Sequence, residues 1–197
     1  METVIFEIRP FNYPINRGRV NENILLVFIY IKMKKTYSGK FVPKNPNKYK
    51  GDYTSIVYRS LWERHCFKWC DQNSNVKSWS SEEVVVPYFY DVDKKYHKYY
   101  VDLKITFADN KTLLVEIKPE KETHPPKNPG RKTKRYLQEG LTYVKNINKW
   151  KAANNYAKDR GWTFVIWTEN TLNEMGIMPK MKPLKPLKPM VRKKKKP

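Results

Sequence analysis

Two carboxylates and an amine cluster near the middle of the chain: Asp102, Glu116 and Lys118. Residues 96–107 and 112–118 each alternate apolar and polar side chains, the mark of half-buried strands. Val101, Leu103, Ile105 and Phe107 share one face of the first, with Asp102, Lys104 and Thr106 on the other. In the second, Leu113, Val115 and Ile117 point inward and Glu116 and Lys118 outward. Ala108-Asp109-Asn110 between them is turn chemistry. A three-residue loop sets Phe107 against Lys111 and Asp102 against Glu116, where opposed Cβ atoms stand about 5 Å apart. Two carboxylates that close do not both ionise easily in a half-buried site unless a cation neutralises them. Hard oxygen ligands favour Mg²⁺ or Mn²⁺ over zinc. Lys118, two positions beyond Glu116, falls on the same strand face. Its ammonium can orient or deprotonate an attacking water and offset charge on a phosphorane-like transition state. Together the strands spell phosphodiester hydrolysis. A two-residue loop would shift the register by one and destroy the match. Taken singly, each of these residues reads more simply as part of a solvated strand face.

Glu63 is a third acid with two alternative roles. Ser60-Leu61-Trp62-Glu63 fits a capping box, in which the Glu returns to the amide of the N-cap. The same side chain, next to inward-facing Trp62, can instead point over the sheet and complete a metal shell. The helix it opens carries Leu61, Trp62, His65, Cys66, Trp69 and Cys70 at helical spacing and ends near 71–73. Cys66 and Cys70, the two cysteines of the chain, give no disulfide framework and read as core residues rather than as a zinc site with His65, His97 and His124.

These residues need a scaffold. A strand is expected over 83–89, and residues 37–53 form a turn-rich arm. A proline-rich loop covers 120–131, and a helical region runs from about 132 to 160, with a possible break at 146–148. Gly161 is its C-cap. A strand at 162–168 and a short helix at 169–175 complete the series. The long helical crossover allows the last strand to run parallel to its partner. The expectation is an α/β fold with a mixed central sheet flanked by helices.

The chain has 197 residues, and 40 Lys and Arg against 19 Asp and Glu give a formal net charge of +21. This balance disfavours an acidic small-molecule handler and points to a polyanion, most simply nucleic acid. The domain organisation reads as an N-terminal extension at 1–35, a principal domain at 36–178 and a disordered basic tail at 179–197. Residues 1–32 share no pattern with the rest of the chain, and Met33-Lys34-Lys35-Thr36 resembles a second natural start. The apolar run 24–31 is far shorter than the roughly 20 residues of a membrane span. It reads as a buried strand; no secretion signal is recognisable, and a reducing cytoplasmic setting is the expectation. In the tail, Lys-Pro-Leu and Lys-Pro-Met units repeat with period three, which favours a polyproline II rod. Lys40 and Lys44 in the arm, and Arg131, Lys132, Lys134 and Arg135 before the long helix, can grip a phosphate backbone without reading sequence.

With Ser60-x-x-Glu63, Val101-Asp102 and Val115-Glu116-Ile117-Lys118-Pro119 in place, the chain resembles the PD-(D/E)xK nuclease superfamily, and within it the TnsA-like transposon-end endonucleases. The stretch from Tyr37 to Asp52, the run Tyr58-Arg59-Ser60-x-Trp62-Glu63 and the segments around Trp150 and Arg160-Gly161-Trp162 are similar to the head completion nucleases of large tailed bacteriophages. The likeness covers roughly 37–177. It implies a restriction-endonuclease-like core, divalent-metal dependence (Mg²⁺ or Mn²⁺) and a role in finishing the filled head, near portal or neck proteins and the DNA end. It further implies an assembly-stage location in the host cytoplasm and later in the virion. Residue by residue, it assigns Asp102 and Glu116 as metal ligands, Glu63 as the helix acid at the metal and Lys118 as the catalytic lysine. Val101 stands where the motif has proline, a position that shapes the strand and binds no metal. The contrasting expectation is a non-catalytic head-completion protein that binds DNA ends through its basic surface.

Overall fold

The computed structural model describes residues 37–178. The apolar run 24–31, the second start at Met33 and the Lys/Pro tail 179–197 lie outside the described residues. In chain order the elements are β1 (Gly39–Lys40), β2 (Val57–Tyr58), α1 (Leu61–Gln72), β3 (Val76–Ser80), β4 (Val85–Tyr90), β5 (Lys95–Tyr100), β6 (Leu103–Phe107), β7 (Thr112–Ile117), α2 (Lys134–Lys158), β8 (Thr163–Trp167) and α3 (Glu169–Glu174). The central sheet has the order β3-β6-β7-β8. β6 pairs antiparallel with β3 and β7, whereas β7 and β8 are parallel, joined through α2. The fold is therefore mixed α/β, as the sequence leads one to expect.

Apolar burial on both faces holds the sheet. One face packs Leu103, Ile105, Val115 and Ile117 against Cys66, Phe67 and Cys70 of α1 and Leu172 of α3. The opposite face packs Leu114 against Ala153 and Ala157 of α2 and against Val86, Tyr88, Tyr90 and Tyr99 of the β4–β5 hairpin. Each fully buried side chain of this size contributes about 1.5–3 kcal/mol. The small alanines let α2 lie close to the strands. α2 stops where Gly161 takes φ 66° and the Trp162 amide turns back to the Ala157 carbonyl at 2.9 Å.

The structure differs from the sequence reading in three places. Residues 76–80 form the edge strand β3, which its Lys and Ser residues conceal. The single strand expected over 96–107 is two strands in different sheets. The chain bends at Val101-Asp102 because the Val101 amide bonds the Val84 carbonyl and its own carbonyl accepts from the Glu82 amide, at 3.0 and 3.1 Å. α2 passes unbroken through 146–148. Asn146 there is buried, and Asn148 exchanges hydrogen bonds with Asp91, so tertiary contacts override weak helix propensity.

The arm before α1 is clasped to the body. Buried Asp71 accepts from the backbone amides of Lys44 (2.8 Å) and Asn45 (2.9 Å). The Lys50 amide bonds the Trp79 carbonyl at 2.8 Å, so the arm covers the outer edge of β3. Replacing Asp71 by Ala removes a charged acceptor from two amides and is expected to cost about 2 kcal/mol. Denaturant unfolding measures that loss, and limited proteolysis should then cut within 43–50; equal stability and protease resistance would show that the arm docks without the clasp.

Candidate active site

The site is built by register. β6 and β7 pair from Thr106↔Thr112 to Leu103↔Val115. Their three-residue loop closes with the Phe107 amide on the Lys111 carbonyl at 2.9 Å and Asn110 at φ 64°, the left-handed conformation this turn needs. One step past Leu103 and Val115, Asp102 lies across from Glu116, as the loop length requires. The main chain has already bent away there. The Asp102 carboxylate takes over the place of a ladder carbonyl, its Oδ2 accepting from the Ile117 amide at 2.7 Å.

Glu116 does not face solvent as the strand alternation suggests. It is 2% exposed, because the β4–β5 hairpin and α2 cover this face. Its Oε2 accepts from the Tyr99 hydroxyl at 2.5 Å. Its Oε1 lies 3.3 Å from Lys118 Nζ. Lys118 itself is fixed by its amide on the Trp167 carbonyl at 3.0 Å. Asp102, Glu116 and Lys118 are thus brought together, and Tyr99 joins them from β5.

Charge follows from this burial. Desolvation, then the Glu116 carboxylate, holds the Asp102 carboxyl well above the usual range, against the opposing pull of the Ile117 amide and Lys118. Burial alone would push the Lys118 ammonium down, but Glu116 and Asp102 together outweigh it, so its pKa lies above the ordinary lysine value. Burial and the same two carboxylates push the Tyr99 phenol well up, so it remains a donor.

Glu63 turns to the start of α1, as in a capping box, but bonds the amide of Arg59 rather than that of the N-cap Ser60. Ser60 Oγ accepts from the Glu63 amide at 3.1 Å and donates to Glu63 Oε1 at 2.9 Å, while Glu63 Oε2 accepts from the Arg59 amide at 2.7 Å. The carboxylate still lies close enough for its charge to act on Asp102. Among the described residues, no three His, Cys, Asp or Glu side chains converge on one point as a metal shell. Asp102 and Glu116 nevertheless fit a hard divalent cation. Buried Glu116 and half-buried Asp102 converge beside one ammonium, and every carboxylate donor is oxygen. Mg²⁺ commonly takes only one or two protein carboxylates and keeps waters.

Of the basic candidates, Lys40, Lys44, Arg131, Lys132, Lys134 and Arg135 are all exposed, the last two in the first turn of α2. Arg135 pairs with Glu139 at 2.8 Å. Cys66 and Cys70 are fully buried, and burial raises both thiols far above the range in which a thiolate forms. His97 and His124 pair elsewhere, with Asp93 and Glu120. Two side chains at the site escape the sequence reading: Tyr99, hidden among five tyrosines at 88–100, and Lys149 of α2, whose Nζ lies 4.9 Å from the Tyr99 ring centroid. Strict alternation from Val86, Tyr88 and Tyr90 across the hairpin to Tyr99 was the usable signal for the first.

The Asp102 pKa sets a stability test. Its folded value exceeds its unfolded value, so between the two the folded state binds more protons. Stability falls as pH rises through that window and returns on acidification. Asp102→Asn should therefore stabilise the chelator-treated protein at neutral pH by about 1–2 kcal/mol and flatten this part of the pH profile. Thermal melts from pH 4 to 8 check it; a variant less stable than wild type at pH 7 would mean that the carboxylate is well satisfied.

The model of the TnsA-like endonuclease N-terminal domain family matches residues 73–169. The head completion nuclease of Enterobacteria phage T4 is 43% identical to this chain over 144 residues, covering 71% of this chain and 96% of the phage T4 protein. The matched segment of the TnsA-like domain contains β3 through β8, and with them Tyr99, Asp102, Glu116, Lys118 and Lys149.

Proposed function

The chain belongs to the head completion nuclease family, and from that premise we propose that it is a divalent-metal-dependent DNA endonuclease acting at the DNA end in phage head completion. The observation that supports the reading is the apposition of Asp102, in the bend before β6, and Glu116 of β7, with Lys118 3.3 Å from Glu116. In this reading residues 36–178 form the nuclease domain, with a restriction-endonuclease-like core. Portal or neck proteins are its neighbours in the virion. Among the described residues no helix is long and apolar enough to cross a membrane.

Asp102 and Glu116 would hold Mg²⁺ or Mn²⁺. When bound, such an ion supplies positive charge that polarises a phosphoryl oxygen and favours ionisation of water. The chain's own groups do the positioning. The Ile117 amide fixes one oxygen of Asp102, and Tyr99 fixes one oxygen of Glu116. Lys118, protonated at neutral pH, donates to an oxygen on which charge develops as the water oxygen bonds phosphorus and the bond to the departing strand breaks. Glu63 joins them only by leaving its capping bonds with Ser60 and Arg59. Its engaged state favours a helix-starting role in the resting protein and is the specific observation behind the second reading, a structural protein that occupies DNA ends without turnover.

Glu116→Gln should lower Mg²⁺-dependent cleavage of plasmid or linear DNA at least about a thousandfold, the scale of losing a central electrostatic group, while duplex binding persists. Mg²⁺ should also raise the melting temperature of wild type but not of this variant. If wild type cuts no plasmid, linear or branched DNA with Mg²⁺ or Mn²⁺, the structural reading takes its place.

A second expectation concerns the nine basic residues between Lys180 and Pro197, among which no acid occurs. Truncation after Ile177 should weaken binding to all DNA sequences alike, with the log–log salt slope falling by about 0.9 per lost phosphate contact. An unaltered slope in a salt titration would assign the tail to another partner.

A further inference from the structure

We propose that Lys149 receives the DNA backbone phosphate adjacent to the Asp102–Glu116 pair, which makes it a substrate-binding residue of the site. Three observations lead there. First, its ammonium sits over the Tyr99 ring, 4.9 Å from the centroid, and the Tyr99 hydroxyl bonds Glu116 at 2.5 Å. One aromatic residue therefore links Lys149 to the acidic pair. Second, Lys149 is half-buried, yet among the described residues no carboxylate or carbonyl takes its N–H donors. The ring faces it, but a π-face accepts no charge-assisted hydrogen bond of ordinary strength. Lys118, by contrast, is already engaged by Glu116. A part-buried ammonium without an acceptor is costly, and an anion seated beside it removes that cost.

Third, Lys149 ends a stripe along α2. Gln138, Thr142, Lys145 and Lys149 recur at alternating steps of four, three and four, which places them on one helix face. The stripe carries no acid and no large apolar side chain. Eleven residues at 1.5 Å rise make it roughly 16 Å long. It starts beside the exposed cluster Arg131, Lys132, Lys134 and Arg135 and leads to the acidic pair. Charge runs on helices are commonly plain solvated faces. Lys149 departs from that pattern through its burial and its position over Tyr99. Burial also holds its pKa below the ordinary lysine value, against the opposing pull of the Glu116 and Asp102 carboxylates.

The inference rests on reading the acidic pair as a nuclease centre, and its test separates the two. Full-length wild type, Lys149→Met, Lys149→Arg and Lys151→Met are titrated with linear duplex DNA over a salt series, with chelator present so that nothing is cut. Methionine keeps an apolar contact on the Tyr99 ring, and melting temperatures report whether each variant is folded. Lys151 is exposed and lies some 200° around the helix from Lys149, so it controls for general loss of charge. Lys149→Met should bind about tenfold more weakly, with a salt slope lower by about 0.9. Lys149→Arg should recover most of both, and Lys151→Met should bind as wild type does. With Mg²⁺ added, Lys149→Met should raise KM more than it lowers kcat. Unchanged affinity and slope in a folded Lys149→Met overturn the assignment, as does an equal loss in Lys151→Met. If wild type cuts normally while Lys149→Met binds DNA as wild type does, only this inference fails. If wild type cuts nothing while Lys149→Met alone loses binding, the nuclease reading fails and the phosphate contact stands.

Discussion

Everything at the site stems from burying two like charges side by side. Asp102 and Glu116 face one another at the mouth of a strand pair, Glu116 buried and Asp102 half-buried. A sheet with one open face would let them hydrate and relax. Here both faces are covered, α1 and α3 on one side and α2 with the β4–β5 hairpin on the other. The hairpin supplies one partial remedy, the Tyr99 phenol, and β7 and its end supply two more, the Ile117 amide and the Lys118 ammonium. These remedies offset only part of the repulsion, and the elevated Asp102 pKa records what remains. An apolar pair in this position would make a more stable sheet. The acidic pair is thus a local sacrifice of stability.

The hairpin is therefore more than a cover. Its inner row, Val86, Tyr88, Tyr90 and Tyr99, packs on α2, and the last of these reaches Glu116. Because Val101 bonds to Val84 rather than to the central sheet, the chain turns a corner between Tyr100 and Leu103. That corner frees Asp102 from ladder pairing and lets its carboxylate, instead of the Val101 carbonyl that a continued ladder would offer, meet the Ile117 amide. A straight strand from Tyr96 to Phe107 would have placed Asp102 in regular pairing.

The legible parts of the fold share a local cause. Three loop residues fix the β6–β7 register, Ser60 and Glu63 announce α1, and Gly161 ends α2; each signal lies within a few residues of its effect. The apposition of Asp102 and Glu116 one step past the last ladder pair follows from that register. What stayed hidden depends on distant contacts. β3 offers little apolar alternation, with Lys77 exposed and Val76 and Trp79 as its buried apolar side chains, and its outer edge is covered by the distant arm. The bend at Val101 is imposed by residues 82–84. Tyr99 and Lys149 meet only because a hairpin and a helix dock on the same face. For Glu63 the sequence offered two roles, and the structure shows the local one, since its capping partners are three and four residues away.

The backbone amide of Lys118 is bonded to Trp167, in a strand reached only after the whole of α2. Contacts across so long a stretch of chain form late, because loop closure must precede them. Without β8 the Lys118 amide lacks this acceptor. Placement of that lysine's backbone is thus tied to a strand made some fifty residues later, so the two ends of this stretch succeed or fail together in folding.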